Sequence, residues 1–255
     1  MDNHLRNNEK TMTTLWLDLG NTRLKYWLTD NNNTILDHDA KLHLQAPAEL
    51  LMGLSDKFIR LNPDFIGISS VLGQKINQQI IKTLTHTQIP FEFAKVSHQN
   101  SLLQSHYQST QLGVDRWLQM LGASQIGQNL CVVGCGTAMT VDIINDGVHL
   151  GGFIFANARL QREALYAGTR QIDVTDGDLA SLELATNTTD AVNHGILLSI
   201  TGAINQVLRQ YPTHQLIMTG GDAKRIAQHL FANAIIIEKN LLLIGLQKYF
   251  NLTKN

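Results

Sequence analysis

The sequence predicts an α/β fold built as a duplicate: two halves, each a mixed sheet that opens with a three-stranded meander and is flanked by helices. Three observations predict it. Leu15, Leu17 and Leu19 alternate with Trp16 and Asp18, and Leu24, Tyr26 and Leu28 alternate again after Gly20-Asn21-Thr22; that is the two-residue period of strands. From Pro47 onward, helical spacing takes turns with short apolar runs, the pattern of an α/β chain. The same order restarts at Leu130, and both copies carry a small-residue turn between their first two strands.

In the first half, residues 1–12 are polar and read as a disordered lead-in. The first two strands lie on either side of the glycine turn. Asn31-Asn32-Asn33 makes a second turn, and Thr34 to Leu44 forms the third strand. Leu50, Leu51, Leu54 and Phe58 follow helical spacing from Pro47 to Leu61, with Pro47 suited to the first turn. Phe65 to Val71 is a short strand, and Ile76, Ile80, Ile81 and Leu84 share one helix face. Phe91 to Val96 is another strand, Ser97 to Thr110 a polar loop, and Val114 to Ile126 a helix.

In the second half, Leu130 to Val133 and Ala138 to Asn145 are strands around the turn Gly134-Cys135-Gly136-Thr137. Asp146-Gly147 is a strong hairpin signal, with Val148 to Ile154 beyond it. Helices follow at 157–168 and 189–210. A strand at Leu216 to Thr219 runs into Gly220-Gly221 and a helix from Asp222 to Phe231. A strand, Ala234 to Ile237, and a helix, Leu241 to Phe250, finish the chain. The division expected is 13–118 and 119–255, two stacked domains with an active cleft between them. Without a Pro- or Ser-rich linker, the join is expected to be a helix.

Composition narrows the function. A net charge of -1 over 255 residues gives no global basic field for nucleic acid. No apolar run reaches the length of a membrane span, and the polar N-terminus does not read as a secretory signal. The cytoplasm is therefore expected. Cys131 and Cys135 are the two cysteines; one Cys-x3-Cys pair is a poor zinc site and reads better as two small buried residues.

The chemistry is concentrated in turns. Phosphate binding needs backbone N–H groups aimed at the anion with no side chain in the way. Asp18-Leu19-Gly20-Asn21-Thr22-Arg23-Leu24-Lys25 supplies such a turn, with Asp18 placed to hold Mg²⁺ directly or through water. The same residues also make an ordinary hairpin turn with a capping Asp. Gly134 to Asp142 repeats the logic, and Thr219-Gly220-Gly221-Asp222-Ala223 is a third small-residue turn opening a helix. Between the halves, the carboxylate in Gly113-Val114-Asp115-Arg116 suits a base for a hydroxyl and the guanidinium suits an anion. A carboxylate favoured at a helix N-terminus beside a surface Arg is the plainer reading.

Together these motifs resemble the type III pantothenate kinase family over residues 15–246. The family carries Asp-x-Gly-Asn-Thr-x-x-Lys, Gly-x-Asp-Arg, Asp-x-Gly-Thr-Ala-x-Thr, Gly-Gly-x-Ile and Thr-Gly-Gly-Asp-Ala. They stand here at Asp18–Lys25, Gly113–Arg116, Gly134–Thr140, Gly151–Ile154 and Thr219–Ala223. The resemblance implies duplicated actin-like ATPase (ribonuclease H-like) domains and ATP-dependent phosphorylation of pantothenate, the first step towards coenzyme A. It implies that Asp115 is the general base and that Asp18, Leu19, Gly20, Asn21, Thr22, Arg23, Leu24, Lys25 and Thr137 meet the ATP phosphates. Tyr107, Gly113, Val114, Asp115, Arg116 and Thr188 match the substrate side. Mg²⁺, a monovalent cation (K⁺ or NH₄⁺) and a homodimer with the substrate pocket near its interface are implied too.

The chain departs from the family pattern in three places. Gly134 replaces the Asp associated with the monovalent cation. Ala156-Asn157 replaces the usual Pro-Gly, so the turn is expected to differ locally, although Asn still tolerates a left-handed conformation. The substrate-side Tyr sits about one residue closer to Gly113 than the family usually has it, so His106 competes with Tyr107 for the slot. Gly134 also leaves room for the alternative of a non-catalytic accessory relative; the retained Asp18, Asp115 and Arg116 weigh against it. Another acceptor on the same fold is the third reading.

Overall fold

The structure is a computed structural model that describes residues 12–43, 45–96, 103–169 and 177–253. The expected N-terminal lead-in and the first part of the polar loop after Val96 lie outside the described residues. The chain divides into two compact units, Met1–Lys95 with Phe250–Asn255, and Val96–Tyr249.

The first unit holds β1 (Thr13–Leu19), β2 (Arg23–Asp30), β3 (Ile35–Leu42), α1 (Pro47–Leu61), β4 (Phe65–Ser70), α2 (Gly73–Thr85) and β5 (Phe91–Phe93). Its sheet runs β3-β2-β1-β4-β5. The meander is antiparallel, and β4 and β5 add in parallel. The alternation in the sequence decides the faces. Leu15, Leu17 and Leu19 of β1 join Leu24, Tyr26, Ile66 and Ile68 against Leu51, Leu54 and Phe58 of α1 and Ile80 and Leu84 of α2. The other face of β1 carries Trp16, packed 5.8 Å from Phe250, and then Asp18. Asn62 closes α1 in the left-handed region at φ 48°, donating its N–H to Phe58 and Ile59 carbonyls.

The second unit repeats the plan with β6 (Gln104–Ser105), α3 (Val114–Ala123), β7 (Leu130–Cys135), β8 (Ala138–Asn145), β9 (Val148–Ala156), α4 (Ala158–Gly168), α5 (Thr188–Gln210), β10 (Gln215–Gly220), α6 (Ala223–Ala227), β11 (Ile235–Ile237) and α7 (Leu241–Thr253). Its sheet runs β11-β10-β7-β8-β9-β6, with an antiparallel β7-β8-β9 meander and the other pairs parallel. Val133, Met139, Val141 and Ile143 pack with Ile196, Ile200 and Ile204 of α5. Two expectations change. Gln104–Ser105, expected within a loop, pairs in parallel with Val148–His149. The helix expected to run to Phe231 ends at Ala227, and Phe231 is 83% exposed.

Candidate active site

In the first unit, Asp18 is the penultimate residue of β1. Its carboxylate is 7% exposed and lies 3.5 Å from Lys25 Nζ, its partner across the β1-β2 ladder. Ser69 is its neighbour on β4, with a buried hydroxyl that has no hydrogen-bond partner among the described residues. Gly20 N–H closes the turn by donating to Arg23 O at 3.0 Å. Asn21 and Arg23 are exposed and Thr22 half-buried, whereas Leu19 and Leu24 are core residues. Those two leucines therefore offer a ligand only their backbone. Sequence reasoning missed His43, which sits just past β3. Its Nε2 is 2.9 Å from Gly20 O and its backbone N–H donates to Thr22 O at 3.2 Å, so it braces the turn.

In the second unit, Gly113 precedes α3 in an extended conformation and Asp115 is the second helical residue. Asp115 Oδ1 accepts the Arg116 N–H at 2.8 Å. The carboxylate is half-buried, and that burial raises its pKa above the ordinary carboxylate value, outweighing the Arg116 N–H and guanidinium. Val114 is half-buried beside it. Arg116, by contrast, is 4% exposed and is held by a carboxylate of its own. Its Nε donates to Asp142 Oδ2 at 3.1 Å and its Nη2 to Asp142 Oδ1 at 2.6 Å, a bidentate pair.

The rest of this cluster was not read from the sequence. His149 Nε2 lies 3.0 Å from Asp142 Oδ1, and its Nδ1 lies 2.8 Å from Ser105 Oγ. Tyr107 donates its N–H to Ser105 Oγ at 3.1 Å and lays its ring on His149, centroids 6.0 Å apart and planes 15° apart. Arg116 sits over the same tyrosine ring at 5.4 Å. The neighbouring His106 side chain is exposed. Asp142 had a weak signal, an acid between Val141 and Ile143 in a strand; Ser105 and His149 had none.

The other two turns meet through β7 and β10, where Gly220 pairs with Cys135. Gly220 has φ +100°, and a Cβ there would run into the Cys135 carbonyl. Thr137 is half-buried next to exposed Gly136. Asn157 is extended at φ -70°, so its left-handed tolerance is unused. It caps α4 instead, accepting Leu160 N–H at 2.9 Å, and donates Nδ2 to Gly136 O at 3.0 Å. Thr188 opens α5, capped by Asn187, and lines an open recess of about 670 Å³ with Gln161, Leu165, Ala191 and Gly195. Cys131 and Cys135 are buried, which pushes each thiol up to about 12 and keeps it neutral near pH 7. Among the described residues, no three His, Cys, Asp or Glu side chains converge on a possible metal position. Among the same residues, no helix is long and apolar enough to cross a membrane.

The model of the family described as type III pantothenate kinase matches residues 14–210, most of the chain. The chain belongs to the type III pantothenate kinase family. A type III pantothenate kinase of Psychrobacter arcticus is 55% identical over 240 residues, covering 94% of this chain and 99% of that one. One of Acinetobacter baumannii is 47% identical over 239 residues, covering 93% and 97%. Among solved structures, the activator of 2-hydroxyisocaproyl-CoA dehydratase from Clostridium difficile, with bound ADPNP, aligns at TM-score 0.55 and 12% identity, covering 95% of this chain and 96% of that one. The fold is the duplicated actin-like ATPase fold that the resemblance implied.

In this type III pantothenate kinase, Gly134 stands where the family's cation-associated Asp would be. A Cβ built on Gly134 would lie 2.6 Å from Thr140 Oγ1 and 2.9 Å from Gln119 Oε1. The space an aspartate would need is filled by two neutral oxygens. A carboxylate-bound monovalent cation does not fit here. Asp18 does suit a hard, oxygen-seeking ion, with the Ser69 hydroxyl, unpartnered among the described residues, on the adjoining strand.

Proposed function

We propose that this chain transfers the terminal phosphoryl group of ATP to the primary hydroxyl of pantothenate, the first step towards coenzyme A, with Asp115 as general base. The observation that carries the role of Asp115 is the division of labour at the start of α3. Arg116 forms its bidentate ion pair with Asp142, and Asp115 beside it is the carboxylate whose pKa burial raises. A base of this kind takes the hydroxyl proton as the oxygen attacks phosphorus in line and ADP leaves. Gly113 and Val114 bring the acceptor to Asp115, and Tyr107 and Thr188 contact the rest of pantothenate. The N–H groups of Leu19 to Leu24, with Asn21, Thr22, Arg23, Lys25 and Thr137, hold the ATP phosphates. Asp18 would hold Mg²⁺, directly or through water, and the ion would supply charge neutralisation at the phosphoryl group.

The working form is a homodimer. Leu150, Phe153 and Ile154 of β9, Tyr166 of α4 and Leu198 of α5 are exposed in the second unit, and exposed apolar surface marks association. The reduced, buried cysteines suit the cytoplasm.

A coupled ADP-release assay, with and without pantothenate, tests the reading. Pantothenate-dependent ADP release is expected, at equal rates in Na⁺ and K⁺ buffers because Gly134 offers no carboxylate. Asp115→Asn should fold and lose about 10²-fold or more in kcat. Absence of pantothenate-dependent release would favour the accessory reading, and a near-wild-type Asp115→Asn would remove the base assignment.

A further inference from the structure

The cluster around Asp142 has a direction. An ionised carboxylate only accepts hydrogen bonds. Asp142 Oδ1 takes Arg116 Nη2–H and lies 3.0 Å from His149 Nε2, so that ring nitrogen carries the proton. At the other side of the ring, Nδ1 lies 2.8 Å from Ser105 Oγ, within hydrogen-bond distance. The serine oxygen also accepts Tyr107 N–H at 3.1 Å. His149 is fully buried and Asp142 is 2% exposed, so water does not compete for the bond between them.

The segment at the far end needs such support. β6 is two residues long and lies at the sheet edge. Leu103 is buried, but Gln104 and His106 are exposed. Among the described residues, Tyr107 is held by Ser105 Oγ, by the His149 ring and by the Arg116 guanidinium, which also hydrogen-bonds its side chain. The first two of these run through His149, one by way of Ser105. Gly152 completes the fit, since a Cβ there would press on Asp142 Oδ1 at 2.6 Å and Arg116 Nη2 at 3.0 Å.

We infer that His149 is a positioning residue for the acceptor: bridging Asp142 to Ser105 from inside the second unit, it fixes Tyr107 against Arg116 and so shapes the pantothenate side of the site. The inference rests on the kinase reading above. His149 touches no reacting atom in it. Its loss should therefore weaken binding in ground and transition states alike, which raises KM without lowering kcat.

Steady-state kinetics of Ser105→Ala, Ser105→Thr and His149→Phe, with thermal melts of each, test this. Ser105→Ala removes the hydroxyl link at a half-buried position, and His149→Phe keeps a flat ring while removing both hydrogen bonds. KM for pantothenate should rise about 3- to 10-fold in Ser105→Ala, the range one net hydrogen bond sets. kcat and KM for ATP should stay within about twofold, and Ser105→Thr should restore KM. His149→Phe should show the larger rise. If it does not fold, Ser105→Ala and its threonine rescue decide alone. An active wild type whose folded variants keep their KM, or lose kcat and both KM values in step with melting temperature, overturns the inference by itself. A wild type without pantothenate-dependent turnover overturns the kinase reading and the inference with it.

Discussion

Asp115 and Arg116 are adjacent in sequence and opposite in electrostatic situation. Arg116 is buried with a bidentate partner; Asp115 is half-buried, accepts the Arg116 N–H and feels the charges of both Arg116 and Asp142. A raised carboxylate pKa has a stability consequence with a definite sign. The folded state resists ionisation more than the unfolded state, whose value is near 3.8. Above the raised pKa the ionised carboxylate therefore destabilises the fold; as pH falls through it the penalty disappears. Asp115→Asn, inactive by the reading above, should melt at a higher temperature than the wild type at pH 7. The gap should close as pH falls towards 3.8. Melting curves across that range check it, and a variant less stable at pH 7 would contradict the assigned cause. The Asp115-Arg116 pair was legible because both residues lie in one short motif. Asp142, His149 and Ser105 were not, because hairpin register and a two-residue edge strand bring them together.

At the scale of elements, α3 must hold Asp115 still. It does so against α7 through two glycines. A Cβ on Gly122 would run into the Leu241 carbonyl, and one on Gly245 into the Leu118 carbonyl. The helices thus approach backbone to backbone, and Trp117 meets Tyr249 edge-on at 5.7 Å nearby. Gly245→Ala adds one methyl where there is no room. It should cost about 1–3 kcal/mol in urea unfolding and lower kcat, because α7 can yield only by moving α3. Full retention of both would show that the helices separate freely. The long elements were legible because alternating leucines and helical spacing each leave many repeats to count. β6 has two polar residues and no period. α6 stops early because the apolar residues after Ala227 belong to a loop, with Leu230 buried and Phe231 out.

For the whole molecule, the surface of β9 and the helices after it decides the association state. Strand β9 alternates poorly: Leu150 is 40% exposed, Phe153 54% and Ile154 60%, although Phe153 and Ile154 point to opposite faces. Its β6 neighbour covers only Val148 and His149. Tyr166 on α4 and Leu198 on α5 add exposed apolar area. Charge does not keep copies apart, since the net formal charge is -1. The sequence showed the apolar residues of this region but not their exposure, because a strand apolar on both sides reads as buried in a parallel sheet. If the second copy of the homodimer covers this face, Ile154→Asp places a charge in the interface. At a position this exposed it should change the stability of the isolated chain by no more than about 0.5 kcal/mol. Light scattering should then give the mass of two chains for the wild type and of one for Ile154→Asp, with unchanged far-ultraviolet circular dichroism. A variant that keeps the mass of two chains would put the interface elsewhere.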